Sequence, residues 1–283
     1  MDVDIRPLTT DQLDGALALS TLMGWNQRLE DWRRLIELAP SGSFVARDHD
    51  RVVGTAIGID YVHCGWIAMM LVAPEYRGRG LGRRLLEAAM AGLPPELPIR
   101  LDATPLGRPL YERHDFVLET PLTRHVRPAA APAPATVADV VRLQPVDLDE
   151  VKRIDRAIFG GVRSRLLERI HSAGPEYAWR AGGAPIQYCL GRTGRLFNQI
   201  GPIAATTAQT AIALVEAALP NARGHAVVVD AYDEHEEFTA WLSASGFEAQ
   251  RPLYRMRRGG SVAATRGVRA PLTEFAILGP EFG

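Results

Sequence analysis

The sequence predicts an α/β (α+β) protein made of two similar domains in tandem, and three observations lead to this prediction. At 283 residues the chain is long enough for two domains that each bury a core of their own. Strand-like and helix-like patterns alternate through the first half. The same succession begins again in the second half, after a segment rich in proline and alanine.

The first half, residues 1–127, is a mixed succession of strands and helices. Alternating or continuous apolar residues predict strands at 4–8, 43–47, 51–61, 65–73, 99–104 and 116–124. Helical spacing predicts two helices between the first two strands, one helix over 81–90 and a short one over 109–114. The order is therefore strand, two helices, three strands, helix, strand, helix, strand.

A loop rich in glycine and arginine separates the fourth strand from the helix over 81–90. Pro74 ends the strand, because proline cannot donate a hydrogen bond to a neighbouring strand. Gly78, Gly80 and Gly82 alternate through the loop, which allows positive φ values and a close approach of the backbone to a ligand. A strand, a glycine loop and a helix N-terminus together favour binding of phosphate or pyrophosphate.

Arginines of this loop add positive charge and also exclude two common phosphate loops. A Walker loop needs Lys and then Ser or Thr after its last glycine, and Arg83 and Arg84 stand there instead. A dinucleotide-binding fingerprint fits poorly, because the glycines are spaced differently. Arg77, Arg79 and Arg83 therefore belong to a phosphate loop of another kind.

Arg77, Gly80 and Gly82 occupy the fixed positions of the motif (Arg/Gln)-x-x-Gly-x-(Gly/Ala). The stretch resembles the acetyl-CoA motif of the GNAT superfamily of N-acetyltransferases, and the resemblance covers about residues 1–127. It implies a GNAT fold, in which a mixed, mostly antiparallel sheet is flanked by helices. Residues 24–32, together with the Trp66-Ile67 pair, resemble a bacterial subgroup of uncharacterised GNAT proteins.

The resemblance implies acetyl-CoA as co-substrate and assigns roles to residues around the loop. The cofactor-binding residues would be Leu71, Val72, Arg77, Gly78, Arg79, Gly80, Leu81, Gly82 and Arg83. A backbone N–H near Leu71 or Val72 would meet the thioester carbonyl. Tyr111 stands where the family has the tyrosine that protonates the CoA sulfur, and a phenol of pKa about 10 can donate to a thiolate whose thiol pKa is about 8.5. The sequence departs from the family just afterwards, where His114-Asp115-Phe116 replaces the usual Leu-Gly-Phe.

The general base is left open by the sequence. The strand before the loop has no acidic residue at 66–70, where many GNAT enzymes carry a glutamate. Asp60, His63 and Asp102 are candidates by their approximate place on neighbouring strands, acting directly or through water. Three side chains are candidates for the acceptor pocket: Trp25, Asn26 and Tyr61.

The second half repeats the pattern of the first. Residues 128–136 form a Pro/Ala linker, expected to be an extended spacer, between a first domain at 1–127 and a second at 137–283. Residues 141–146, 214–219 and 227–231 echo 4–8, 85–90 and 99–103 respectively. The sequence thus indicates a tandem GNAT protein of bacterial type with a degenerate C-terminal domain.

The second copy lacks the chemistry of the first. Thr206, Gln209 and Ala211 stand opposite Arg77, Gly80 and Gly82, and a loop without glycine or arginine loses both close approach and charge. Thr206 and Thr207 are left to cap the following helix. We expect the second domain to pack against the first through sheet edges or C-terminal strands, where it would form one wall of the amine pocket.

Bulk properties favour a cytoplasmic enzyme. The net charge is −1, so no overall field attracts nucleic acid or a membrane surface. The beginning of the chain is acidic where a signal peptide is basic. Cys64 and Cys189 match neither a disulfide framework nor a metal site, and we expect buried thiols and no metal.

The sequence therefore predicts an acetyl-CoA-dependent N-acetyltransferase that moves an acetyl group to a primary amine of a small molecule, by direct transfer in a ternary complex. Two alternatives stay open: a non-catalytic acyl-CoA-binding regulatory module and a protein lysine acetyltransferase. The expected partner is a small-molecule amine acceptor, with no nucleic acid and no membrane, and the resemblance allows a homodimer.

Overall fold

The computed structural model describes residues 3–129, 140–222, 224–260 and 272–283. In these ranges thirteen strands form one mixed sheet. The strands are β1 (Asp4–Pro7), β2 (Ser43–Asp48), β3 (Arg51–Asp60), β4 (Gly65–Val72), β5 (Ile99–Ala103), β6 (Val117–Arg127), β7 (Val140–Arg142), β8 (Trp179–Ala181), β9 (Gln187–Arg192), β10 (Asn198–Ala205), β11 (Val227–Tyr232), β12 (Glu248–Arg258) and β13 (Thr273–Ala276). The helices are α1 (Leu13–Leu22), α2 (Leu29–Leu38), α3 (Leu81–Ala91), α4 (Arg108–Glu112), α5 (Leu148–Phe159), α6 (Ser164–Ala173), α7 (Ala208–Ala218) and α8 (Glu236–Ala244).

The strands follow the order β1-β2-β3-β4-β5-β12-β6-β11-β13-β10-β9-β8-β7. Neighbours are antiparallel except β4 with β5, and β10 and β11 also meet in a short parallel pairing. A mixed, mostly antiparallel sheet flanked by helices is the predicted fold class, and it is confirmed in both halves of the chain.

The two copies exchange their last long strands. β12 of the second copy lies between β5 and β6, with Arg255 opposite Asp102. β6 of the first copy lies between β12 and β11, with Leu122 opposite Tyr232. The expectation that the copies pack through their C-terminal strands is thereby confirmed. The domain boundaries stay a prediction, because most of the predicted linker (130–136) lies outside the described residues.

Glycines in β3 let α3 lie close to the sheet. α3 buries Leu85, Leu86 and Ala89 on one face. A Cβ added at Gly54 would lie 2.8 Å from Leu85 Cδ1, and one at Gly58 would lie 2.4 Å from the Ala89 oxygen. A larger residue would collide with the backbone of α3 at Gly58 and would displace the Leu85 side chain at Gly54, so both glycines allow the helix to pack closely on the strands.

A gap opens between parallel strands in the first copy but is filled in the second. β4 pairs with β5 only at Gly65–Ile99 and Trp66–Arg100, after which the two strands diverge. β10 and β11 likewise pair over only two residues, but β13 then lies between them, antiparallel to both. The strand pairing therefore leaves a cleft in the first copy at the place where the second copy is closed by β13.

Candidate active site

The glycine loop ends at the N-terminus of α3 in an anion-binding geometry. Gly78 and Gly80 have φ of 72° and 77°, in the left-handed region that favours glycine. Gly80 is the N-cap of α3, and its carbonyl accepts from the N–H of Arg84 at 3.1 Å. The N–H groups of Leu81 and Gly82 lie in the first turn, where a helix offers them no acceptor. This arrangement suits a phosphate or pyrophosphate group.

A surface groove, here the outer groove, runs from the end of β4 along this loop to α4. Arg113 adds positive charge to it beside the loop arginines. Arg79 belongs to the same loop but is not among the residues that line the groove in the described chain. The predicted cofactor-binding residues that line it are Leu71, Val72, Arg77, Gly78, Gly80, Leu81, Gly82 and Arg83.

Arg77 has a structural role that the sequence did not indicate. Its Nε donates to the carbonyl oxygen of Val72 at 3.0 Å, and a terminal nitrogen lies 3.0 Å from Met23 Sδ. The side chain thus braces the end of β4 and the end of α1. Its charge remains at the wall of the outer groove, but its donors are partly used within the protein.

β4 contains a bulge at the point where it borders the cleft. Thr55 pairs with Leu71 and Ile57 with Ala68, so β4 carries one residue more than β3 over this stretch. Met69 has φ of 51°, and its carbonyl accepts from the Thr55 hydroxyl at 2.7 Å. A bulge bends a strand and re-aims its backbone groups, as is common beside active sites.

A second cavity, here the inner pocket, adjoins the outer groove and is walled by both copies. The second copy contributes Arg251, Leu253, Pro280 and Glu281 and so forms one wall of this cavity, and its expected role as a wall of the amine pocket stays a prediction. The cavity volume is about 80 Å³, room for a handful of waters at about 10–15 Å³ each. Residues that line both spaces are Trp25, Met70, Thr104, Gly107, Tyr111 and Arg251.

Tyr111 lies where the outer groove and the inner pocket meet. Its ring is buried and packs edge-on against Phe116, with the ring centroids 5.9 Å apart. In the described part of the chain its hydroxyl has no hydrogen-bond partner, and burial raises the pKa of the phenol. The hydroxyl therefore stays protonated and available as a donor. Asp115 takes φ of 62°, so the turn that the family makes with glycine is kept here with aspartate.

The three candidate bases lie in very different surroundings. Asp60 is exposed, and its carboxylate accepts from the N–H of Val62 at 2.7 Å, which makes it a turn residue. His63 is also exposed, and its Nε2 lies 2.9 Å from Arg156. Asp102 lines the inner pocket, where burial raises the pKa of its carboxyl although Arg255 opposes the shift. Of the three, Asp102 is the residue that borders the pocket.

Of the three residues expected in the acceptor pocket, two border the inner pocket and Tyr61 borders neither of the two spaces. Trp25 and Asn26 line the inner pocket. Tyr61 is fully buried elsewhere: its hydroxyl donates to the carbonyl of Phe282 at 3.1 Å and its ring packs edge-on against Phe159. Its place at a hairpin end suggested exposure, but the second copy covers it.

The segment that carries Trp25 and Asn26 is held by a loop of the second copy. Asn26 Oδ1 accepts from the N–H groups of Leu196 and Phe197 at 2.8 and 2.9 Å, and its Nδ2 donates to the Phe197 carbonyl at 3.0 Å. Arg195 donates to the Trp25 carbonyl at 2.9 Å. The first copy's pocket therefore owes its shape to the second copy.

Three further pocket residues were missed by the sequence analysis: Gln27, Arg251 and Glu281. Gln27 directly follows the predicted Trp25-Asn26 pair, so it could have been predicted from its position next to them in the sequence. Arg251 and Glu281 lie in the second half, and nothing in the sequence indicates that their strand or segment crosses to the first copy.

The second copy keeps the helix but has no phosphate loop. Thr207 caps α7, since its hydroxyl accepts from the N–H of Thr210 at 3.2 Å, as predicted. Thr206 does not cap but donates to Gln187 through both its N–H and its hydroxyl. With β13 between β10 and β11, neither the loop nor the cleft of the first copy is reproduced in the described residues.

Neither cysteine lines the outer groove or the inner pocket. Cys64 and Cys189 are buried free thiols, as predicted, and burial raises their pKa values to about 11 and about 12. Within residues 3–129, 140–222, 224–260 and 272–283, no group of three or more His, Cys, Asp or Glu could hold a metal ion. No helix in those ranges is long and apolar enough to span a membrane.

Comparison with protein families matches both halves of the chain to acetyltransferase (GNAT) domains, at residues 39–118 and 151–268. An uncharacterized N-acetyltransferase of Bacillus subtilis, YitH, is 28% identical over 256 residues, covering 87% of this chain and 89% of that protein. N-alpha-acetyltransferase 30 of Schizosaccharomyces pombe is 38% identical over 64 residues, covering 21% of this chain and 43% of that protein.

Solved structures with similar folds include whole tandem proteins. A putative acetyltransferase from Pyrococcus horikoshii superposes with a TM-score of 0.78 at 23% identity, covering 99% of this chain and 96% of that one. A tandem GNAT protein from the clavulanic acid biosynthesis pathway superposes with a TM-score of 0.62 at 16% identity, covering 92% and 100%. These likenesses extend over both copies and support the tandem fold.

Proposed function

Because the chain belongs to the GNAT superfamily of N-acetyltransferases, with two such domains in tandem, we propose that its first copy transfers an acetyl group from acetyl-CoA to a primary amine of a small molecule. One observation carries this proposal: the outer groove and the inner pocket meet at the unpartnered hydroxyl of Tyr111. Donor and acceptor would occupy the two spaces at once and react directly in a ternary complex.

Acetyl-CoA would supply the acyl thioester, and the first-copy loop suits its phosphates. The left-handed Gly78 and Gly80 and the first-turn N–H groups of Leu81 and Gly82 offer several donors to one anion. Arg77, Arg79 and Arg83 would add positive charge around it. The open part of β4, at Leu71 and Val72, would line the arm that leads inward, and a backbone N–H there would stabilise charge on the reacting carbonyl oxygen.

Tyr111 would act as the proton donor. A departing thiolate has a conjugate thiol pKa of about 8.5, and a neutral phenol beside it can release its proton to the sulfur. Because burial raises the pKa of Tyr111, the phenol would remain protonated until that negative charge develops. Among the residues described, no protein group accepts a hydrogen bond from this hydroxyl. The bound substrate alone would therefore orient it.

The amine must lose a proton before or during attack, and Asp102 is proposed to receive it through a water molecule. Both its oxygens already accept from Arg255 at 2.9 Å, so direct contact with the amine is less suited than a bridged one. Asp60 and His63 are proposed to take no part, since neither lines the outer groove or the inner pocket.

A small acceptor is favoured over the other two readings of the sequence. The inner pocket is small and walled by the second copy, which suits a free amine better than a lysine on a folded protein surface. A regulatory acyl-CoA sensor would have no use for a buried, unpartnered phenol at the junction of two spaces. Buried thiols without a disulfide suit the reducing cytoplasm in which we propose that the enzyme works.

The proposal is tested on the full chain with acetyl-CoA and a panel of small amines, by titration and by thiol release. One acetyl-CoA should bind per chain, and thiol release should require an amine. Gly80→Val should abolish binding, because a β-branched residue is strained at φ of 77°. Gly182→Ala, at an open position in the second copy, is the matched control and should bind normally. Binding without amine-dependent thiol release would favour a sensor, and no binding or two sites per chain would overturn the proposal.

A further inference from the structure

Arg251 is an arginine at the inner pocket that has no partner within the described chain. It lies on β12, contributed by the second copy, and lines both the inner pocket and the outer groove. No hydrogen bond or ion pair joins its guanidinium to any described residue, and its Nε is buried without an acceptor. An unpaired cation in a partly buried position is costly and calls for an explanation.

Three other buried arginines of this region all have carboxylate partners. Arg124 donates to both oxygens of Asp230 at 2.7 Å. Arg192 is paired with Asp31 at 3.0 Å and also with Glu281. Arg255 donates to both oxygens of Asp102. Arg251 is therefore an exception in a region where the chain otherwise balances each guanidinium with an acid.

The acids at the pocket wall make no hydrogen bond or ion pair with the Arg251 side chain among the described residues. The carboxylates that line the inner pocket, Asp102 and Glu281, are already engaged by Arg255 and Arg192. Burial lowers the pKa of Arg251 to about 10, and the nearby charge of Arg124 adds to the effect. The guanidinium is still charged at neutral pH, so the pocket presents a charged hydrogen-bond donor group that has no protein acceptor among the described residues.

A second unpartnered group lines the same pocket. Gln27 is 5% exposed, and its side-chain oxygen is buried without a hydrogen-bond partner. Buried amide oxygens are nearly always hydrogen-bonded, so this one is suited to a ligand N–H. The inner pocket thus offers one cationic donor group and one neutral acceptor group that the protein itself leaves unused.

We infer that the acceptor is an amine that also carries a carboxylate or a similar anionic group, and that Arg251 of the second copy binds this anion. This inference rests on the proposed acetyl transfer and narrows its substrate class to aminocarboxylic acids. Gln27 would accept a hydrogen bond from an N–H of the same molecule. The anion is assigned to the acceptor because Arg251 is among the residues shared by the inner pocket and the outer groove, whereas the glycine loop, where the phosphates of the donor are proposed to lie, lines the outer groove alone.

The test compares acceptors that differ only in the anion. Amino acids are measured against their methyl esters and amides with acetyl-CoA, and kcat/KM is recorded for each. A charge-assisted hydrogen bond should favour the free carboxylate by about 10- to 100-fold. Arg251→Gln should remove this preference by lowering kcat/KM for the free acids only, while the affinity for acetyl-CoA stays unchanged. Arg258→Gln, at the exposed end of the same strand, is the control and should keep the preference.

Folding of the variant is checked by thermal unfolding. Since Arg251→Gln removes an unpaired charge, it should melt at or above the wild-type temperature. Arg251→Met serves as a second variant and should also melt at or above the wild-type temperature. In a variant that does so, a loss of the preference for free acids cannot be attributed to unfolding.

Several outcomes separate this inference from the proposed function. Equal use of acids and esters, or an unchanged preference in Arg251→Gln, would overturn the inference and leave acetyl transfer intact. A preference that follows the donor instead, with Arg251→Gln lowering use of succinyl-CoA but not of acetyl-CoA, would assign the anion to the acyl group and overturn the acceptor assignment. No transfer to any amine would overturn the proposed function and the inference together.

Discussion

Asp102 and Arg255 form a buried bidentate ion pair across the junction of the two copies. Nε and a terminal nitrogen of Arg255 each lie 2.9 Å from a carboxylate oxygen of Asp102. The two residues face each other in register on β5 and β12. Arg255 also donates to the hydroxyl of Tyr232 and lies 3.6 Å from Glu274. The pair therefore fastens the exchanged strand to the first copy at the wall of the inner pocket.

Asp102→Asn should lower the free energy of unfolding by about 3–5 kcal/mol, because it leaves the Arg255 guanidinium buried without its main counter-charge. Denaturant unfolding measures this loss. Asp60→Asn is the matched control, since Asp60 is exposed and asparagine can still accept from the N–H of Val62. The double variant Asp102→Asn/Arg255→Gln should recover part of the loss. A single variant as stable as the wild type would contradict a stabilising role for the pair.

Because the copies exchange strands, we expect the two fragments of a chain cut once between them to stay associated. A protease site placed within 130–136 would yield two fragments that share one sheet, because β12 lies between β5 and β6. The fragments should co-elute in native gel filtration and separate only in denaturant, and the intact chain with the same site is the control. Separation in native buffer would mean that the copies are two independent domains.

Local patterns in the sequence were sufficient for the elements of the first copy and for the geometry of the glycine loop. Pro74 and the alternating Gly78 and Gly80 predicted a strand end and a left-handed turn, and both are present because they depend on residues close in the chain. Asp115 is a similar case. It stands where the family usually has glycine, and the turn is kept because aspartate tolerates positive φ.

What the sequence could not predict depends on strand partners. The apolar pattern of β6 and of β12 is the same whether the strand pairs within its own copy or with the other copy. The sequence of each strand therefore does not reveal the exchange. The position of Arg251 in the first copy's pocket follows from this exchange, whereas the burial of Tyr61 comes from contacts with Phe159 and Phe282 of the second copy. β13 is a further case, because nothing in its own residues indicates that it lies between β10 and β11.

His125 should make the protein sensitive to mild acid. It is buried on β6, neither ring nitrogen has a partner in the described residues, and burial lowers its pKa although Asp233 and Asp230 oppose this. The unfolded chain therefore binds a proton at a higher pH than the folded one. Stability should be full above the ordinary histidine pKa of about 6.5 and should fall as the pH drops below it.

His125→Phe should reduce the pH dependence of the free energy of unfolding between pH 7.5 and 5. The reduction in slope should correspond to at most one proton taken up on unfolding, as measured by denaturant unfolding at each pH. His49→Gln, at an exposed turn residue, is the control and should keep the wild-type slope. A variant with the wild-type slope would assign the acid sensitivity to other groups.

The proposed acetyl transfer depends most directly on Tyr111 as proton donor. The decisive measurement is the kcat of Tyr111→Phe, together with the Kd of this variant for acetyl-CoA. The substitution removes one hydroxyl and keeps the packing of the ring against Phe116. Loss of a general acid should lower kcat by about 10²–10⁴-fold while the Kd for acetyl-CoA stays unchanged. Tyr254→Phe, on β12 and outside both the groove and the pocket, is the control and should turn over normally. Wild-type kcat in Tyr111→Phe would contradict the account and leave Tyr111 a packing residue.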